Sequence, residues 1–143
     1  MAGKKKTTKL QPHRILREVY RHYTEFEQLV SAYGTHTIDH VVRLYDEDEN
    51  EVDRIPITIS FFDLRDGLRP QSEGGVLSDR KLQAVMLNVI RDMKQRDVAE
   101  AMGITTVSVG QYVEHAMEQL AKAYFPEFYS TPVQADELNK VKL

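Results

Sequence analysis

QRDVAEAMGITTVSVGQYVEHAMEQL, residues 95–120, decides how the chain is read. It divides at Gly103 into two helix-forming segments joined by a turn of three residues. Glycine suits such a turn because it takes positive φ without a Cβ clash. Ala99 is small where two helices would cross. Val98, Met102, Ile104, Val109 and either Tyr112 or Val113 fall where both segments face one core. The spacing is that of the DNA-binding helix–turn–helix, so double-stranded DNA is the first partner to expect.

Towards the C-terminus, the second segment runs on through Ala116, Leu120 and Tyr124 until Pro126 stops it. Phe125, Phe128 and Tyr129 are expected to fold back as an aromatic lid, ahead of a polar tail at residues 130–143. Towards the N-terminus, Ser78 is placed to cap a further helix, with Asp79 in its first turn. Leu82, Val85, Met86, Val89 and Met93 mark that helix's buried face. Gly67, Pro70, Gly74 and Gly75 interrupt regular structure before it, and the Gly74–Gly75 pair marks a boundary.

The first seventy residues have a different character. Pro12 suits a first helical turn, and Leu16, Val19, Tyr23, Phe26, Val30 and Tyr33 recur at three- and four-residue steps. One helix is therefore expected over residues 12–33, closed by Gly34. Its apolar seam would pack within the chain or pair with a second copy in a homodimer. Residues 39–45 and 54–60 are rich in β-branched and aromatic side chains around the acidic run Asp46-Glu47-Asp48-Glu49-Asn50-Glu51. They read as a β-hairpin with a charged tip, and Pro56 places its strand at an edge. A two-stranded ribbon is marginal alone and needs the first helix or a partner to cover it. Phe61 to Leu64 read as a helical turn after Ser60.

The expected organisation is a basic disordered arm (1–11), a helix-plus-hairpin module for oligomerisation or partner binding (12–73), a helix–turn–helix domain (74–129) and a polar tail (130–143). The fold class is mainly α with a small β-hairpin. At 143 residues with 41% apolar content the chain can bury one modest core. It has no cysteine, which removes disulfides and cysteine-based zinc sites and fits a reducing compartment. No signal-peptide pattern or window of about 20 apolar residues is present, so a cytoplasmic protein with no membrane contact is expected. The net charge of −3 is unevenly spread. Lys4, Lys5, Lys6, Lys9, Arg14, Arg17 and Arg21 crowd the start, with Glu18 the only acid among them. The lysine arm is either a solubilising tail or a contact for phosphates.

Residues 77–124 resemble region 4 of the bacterial sigma-70 family. The resemblance is carried by Leu77-Ser78-Asp79-Arg80, the apolar run through Val89, Asp97-Val98-Ala99-Glu100, Met102-Gly103-Ile104-Thr105, Val109, Ala116 and Leu120. It covers about a third of the chain, and the first seventy residues do not resemble the sigma region that melts the −10 element. The whole looks like the small sigma-like regulators common in phages and prophages. The resemblance implies that the second helix reads a promoter through the major groove and that the unit docks on the β-flap of RNA polymerase. By position it makes Thr105, Thr106, Ser108, Gln111 and Tyr112 the outward residues at the start of the recognition helix. Hydroxyls and the Gln111 amide suit base edges. Arg91, Lys94 and Arg96 flank the first helix and suit phosphates, which position without reading sequence.

The recognition helix departs from the family, which usually presents several arginines or lysines there. Ser108, Gly110, Tyr112 and His115 stand instead, and Glu114 and Glu118 add negative charge. Affinity would then come from a dimer or from the polymerase. Two alternatives take other partners: a polymerase-binding modulator that never touches DNA, and a phage packaging protein of the small-terminase kind.

Other chemistry is weaker. Asp46-x-Asp48-x-Asn50 imitates the start of a calcium loop, but the sixth and twelfth positions hold Glu51 and Ile57 rather than glycine and glutamate. His36, Asp39 and His40 offer no third ligand, His115 has no nucleophile at a recognisable spacing, and no Lys-Ser/Thr follows Gly74-Gly75. The expectation is a non-enzyme without cofactor or metal.

Overall fold

The computed structural model describes residues 11–126. The lysine-rich residues 1–10 and residues 127–143, with Phe128, Tyr129 and the polar tail, lie outside the described residues. The chain is mainly helical, with one two-stranded antiparallel sheet. Helices α1 (Pro12–Arg21) and α2 (Tyr23–Tyr33) lead into strands β1 (Thr37–Tyr45) and β2 (Glu51–Ser60). Then come α3 (Phe61–Gly67), α4 (Asp79–Val85), α5 (Gln95–Met102) and α6 (Thr106–Tyr124).

Helix α6 is the hub. Val109, Val113, Ala116, Met117, Leu120 and Ala121 form its buried stripe, at the spacing of one helical face. Helices α1, α3, α4 and α5 all pack on it. Phe125, just past its end, is also buried. Ile15, Leu16, Val19 and Tyr20 enter this core from α1. The Tyr20 hydroxyl donates to the Leu64 carbonyl at 2.8 Å and ties α1 to α3. Burial pushes that phenol well above the usual tyrosine range. Gly67 lies beneath the same ring: a Cβ there would collide with the Tyr20 hydroxyl and press on Leu120. Sequence reading takes Gly67 as a helix breaker; in the fold it is a packing residue.

The hairpin forms as expected, with longer strands. His40 faces Ile57, Val42 faces Ile55 and Arg43 faces Arg54. Ile38, Val42, Leu44, Ile55, Ile57 and Ile59 turn inward and are buried, while Val41, Tyr45 and Val52 remain about half exposed on the outer face. Asp46 closes the tip: its Oδ1 accepts from the backbone N–H groups of Asp48 and Asn50, both at 2.9 Å. The resemblance to a calcium loop is therefore a side-chain-capped turn.

Three expectations are corrected. The helix expected over residues 12–33 is two helices. His22 leaves helical geometry at φ −102°, ψ 14°, and its N–H bonds back to Val19 at 3.0 Å. The two halves bury different faces, α1 against α6 and α2 against α3, and a straight helix could not serve both. Tyr33, assigned to the seam, is 77% exposed, because α2 outruns the surface that it covers. The helix after Ser78 does not continue regularly to Met93. It passes at Met86 into a five-residue π-turn ending at Ile90, with the Arg91 N–H bonded to the Met86 carbonyl at 3.0 Å. The wider turn shifts the buried face: Val89 and Asn88 go inside while Met86 is only partly covered.

No helix among the described residues is long and apolar enough to cross a membrane.

Candidate nucleic-acid interface

The α5–turn–α6 unit takes its shape from local chemistry. Gly103 ends α5 at φ 70°, ψ 33°, and its N–H bonds to the Glu100 carbonyl at 3.3 Å. Left-handed backbone there suits glycine above all other residues. Thr105 is the N-cap of α6: its hydroxyl accepts from the Ser108 N–H at 3.0 Å and lies 2.9 Å from the Ser108 hydroxyl. Val98, Ala99, Val109 and Val113 hold the two helices together, with Met102 and Ile104 partly buried beside them.

This placement divides the eight residues singled out in the sequence. Thr106 and Gln111 are exposed on the first turns of α6. Thr105 is exposed, but its hydroxyl is occupied by the cap, and Ser108 is half-buried and shares that bond. Tyr112 is half-buried against the core, and Val113, the alternative to it, is the fully inward residue. Arg91, Lys94 and Arg96 are exposed and form no ion pair among the described residues. The first turn of α6 contains no acidic residue, so the partial positive charge of the helix start stands uncompensated there.

Two functional candidates escape the sequence reading. Val107 is 69% exposed in that same first turn, although it is β-branched and apolar. Its position two residues before buried Val109 puts it on the opposite side of the helix, which is a detectable signal. Asn88 is a buried amide, 7% exposed. Its amide donates to the Met93 carbonyl at 2.8 Å, and its Oδ1 accepts from Arg17 Nη2 at 3.3 Å. It thereby anchors the loop that carries Arg91 and Lys94, where Asp92 takes φ 57°. A lone amide within the apolar run of residues 84–90 is the sequence signal for it.

The exposed groups at the start of α6 have complementary hydrogen-bonding and apolar character. The Gln111 amide offers both donor and acceptor, the Thr106 hydroxyl adapts to either, and Val107 supplies a methyl surface. Gly110 sits between them; a Cβ there would meet only the Gln95 side chain, at 3.5 Å. Further along α6, Glu114 is exposed and Glu118 half-buried. His13 Nε2 approaches Glu114 Oε2 at 3.5 Å, and the ligand atoms of His13, Glu114 and Glu118 lie within 4.8 Å of one another. These three could hold a divalent cation, and as they stand they make an ordinary histidine–carboxylate contact.

No protein-family profile, curated protein or solved structure matches the chain.

Histidines 36 and 40 are not brought together as a ligand pair. His36 stacks on Phe62 at 4.2 Å, with the Arg65 guanidinium over the same phenyl ring at 4.9 Å. His40 points inward to His22 at 4.7 Å and to Phe26 at 5.2 Å. Burial, then the neighbouring His22, holds the His40 imidazole below the usual histidine range.

Proposed function

We propose that the α5–turn–α6 unit is a DNA-binding helix–turn–helix of the sigma region-4 kind, and that the chain regulates transcription in a bacterial or phage setting. The first turns of α6 enter the major groove, where Thr106, Val107 and Gln111 meet base edges. Arg91, Lys94 and Arg96 meet phosphates and set the register without reading sequence. One observation carries this reading. The first turn of α6 is free of acidic residues, leaves Thr106 and Val107 open to solvent, and follows three exposed cations. RNA polymerase or a second copy supplies the affinity that a helix without arginine lacks.

The test is duplex selection from a random pool followed by a salt series on the selected site. Gln111→Ala and Thr106→Ala are expected to weaken the selected site about 10-fold or more, and random duplex hardly at all. Lys94→Ala is expected to weaken both alike and to lower the salt slope by about 1. Equal loss on both duplexes for Gln111→Ala would remove it from base readout.

A second reading is favoured by a specific observation. Val107 is a large exposed apolar residue, and exposed Glu114 lies further along the same helix. An apolar knob with a carboxylate two turns along the same face suits a protein groove better than a phosphate backbone. In that case α6 docks on RNA polymerase and never meets DNA. Capture by core polymerase, with duplex retardation absent for the protein alone and in the complex, would select it.

A further inference from the structure

We infer that the hollow between α1 and the end of β1 is a binding site for a phosphate group. Arg14, Arg17 and Arg21 line it from α1, Arg43 and Tyr45 line it from β1, and Glu18 is the one acid among them. The three α1 arginines are three and four residues apart, so they share one face of the helix.

Their charge is poorly answered within the chain. Arg17 is about half-buried; its Nη2 reaches Asn88 Oδ1 at a long 3.3 Å, and its buried Nε has no hydrogen-bond partner among the described residues. Burial, then Arg21, pushes its guanidinium below the usual arginine range. Arg21 divides itself between Glu18 at 3.5 Å and Asp92 at 3.7 Å. Charge-assisted pairs of good geometry close to about 2.7–2.9 Å, so neither carboxylate holds it firmly. Arg14 and Arg43 have no ion pair among the described residues.

An arrangement of this kind costs stability when empty. Like charges one helical turn apart repel, and a buried N–H without an acceptor forfeits its hydration. A tetrahedral anion answers both. Its oxygens accept from several guanidinium groups at once, and the planar arginine fork matches phosphate geometry. Size narrows the ligand further. The hollow measures about 220 Å³, below the roughly 300–1,000 Å³ of sites that enclose drug-sized molecules. It accommodates a phosphate or diphosphate group rather than a whole nucleotide. Arg17, which lines it, also donates to Asn88, the residue whose amide holds the Met93 carbonyl before α5. A strand phosphate of a duplex lying on α5 and α6 is one source, and a free phosphorylated small molecule is the other. The site stands on the arginine geometry and does not require the helix–turn–helix reading.

The test has two arms, both on the full chain. In the first, inorganic pyrophosphate is titrated at constant ionic strength while the arginine Nε–Hε resonances are followed. Saturable shifts in Arg17 and Arg21 are expected, weakened at least tenfold by Arg14→Gln and by Arg43→Gln. Both of those residues are exposed, and circular dichroism of the variants should match the parent. In the second arm, duplex affinity is measured across a salt series for the same proteins. A slope lowered by about 1 per variant identifies a strand phosphate as the source. Saturation by pyrophosphate with an unchanged duplex slope supports the site and identifies a free ligand. Shifts that grow without saturating, or that sodium chloride reproduces, together with an unchanged slope, overturn the proposal. Duplex binding that survives such a result leaves the α6 reading intact. Saturation by pyrophosphate with no duplex binding at all does the reverse.

Discussion

The first turn of α6 and the outer face of α1 are both polar, and they are polar in opposite ways. The α6 turn presents a hydroxyl, an amide and a valine, with no side-chain charge. The α1 face presents three arginines, one of them half-buried, and little that could tell one base from another. Neutral hydrogen-bonding groups discriminate between partners, because a mismatched donor is costly once water is excluded. Guanidinium groups attract any phosphate and lose force with salt. Under the proposed readings, selectivity and attraction would sit on different helices. Asn88 bonds both to Arg17 of α1 and to the Met93 carbonyl ahead of α5.

The largest blow to both surfaces is expected from their shared support. Leu120 is fully buried where α6 meets α1, α3 and α4. Leu120→Ala should cost about 2–5 kcal/mol in urea unfolding and weaken every binding function together. Loss of less than 1 kcal/mol would mean that α6 is not the hub. Asn88→Ala separates the two surfaces. It leaves the Met93 carbonyl and the Arg17 guanidinium short of a partner, at about 1–3 kcal/mol. Pyrophosphate affinity should fall with it, while the ratio of selected to random duplex affinity should hold. A changed ratio would show that the α4–α5 loop also sets selectivity.

Thr105→Ala acts from the other side. It removes the cap of α6 and should cost about 1 kcal/mol, with Thr105→Ser restoring it. Duplex selectivity should drop as the first turn frays, and pyrophosphate binding should be unmoved. The smallest effect lies outside both surfaces. His40 is held below the ordinary histidine range in the fold, whereas the unfolded chain takes up the proton near pH 6.5. The unfolded state then binds more protons as pH falls, so stability is full above about 6.5 and declines below it. The melting temperature should drop on acidification from about pH 7.5 to 5.5, and His40→Gln should flatten that drop. His22, Glu25 and Arg43 act on the same imidazole, Glu25 opposing the other two.

Much of the chain was legible because its signals are local. Gly103 with Ala99 and Val109 specifies the α5–turn–α6 corner without help from elsewhere, and Ser78 caps α4 where the sequence placed it. The β-branched and aromatic runs on both sides of the acidic tip predict the hairpin, and the structure adds which face turns inward. What escaped depends on distant partners. The apolar spacing of residues 12–33 is compatible with one helix, and only the divergent positions of α6 and α3 require the break at His22. Tyr20 and Gly67 depend on each other across the fold, and neither announces it. At the candidate interface, Thr106 and Gln111, which the sigma resemblance makes outward by position, are exposed. The occupation of the Thr105 and Ser108 hydroxyls by the cap shows only in three dimensions. The arginine cluster was visible as composition, and its concavity was not, because that needs β1 beside α1.

The two-stranded sheet has a consequence for handling the protein. Among the described residues neither strand has a second neighbour, so both rims carry backbone groups able to recruit another strand. Arg43 and Arg54 sit directly across from each other on the outer face, next to the carboxylates of the tip. That concentration of charge acts as a guard against self-templating, and dissolved salt disarms it. Concentrated samples should therefore scatter more light as sodium chloride rises, with Val41→Lys suppressing the effect.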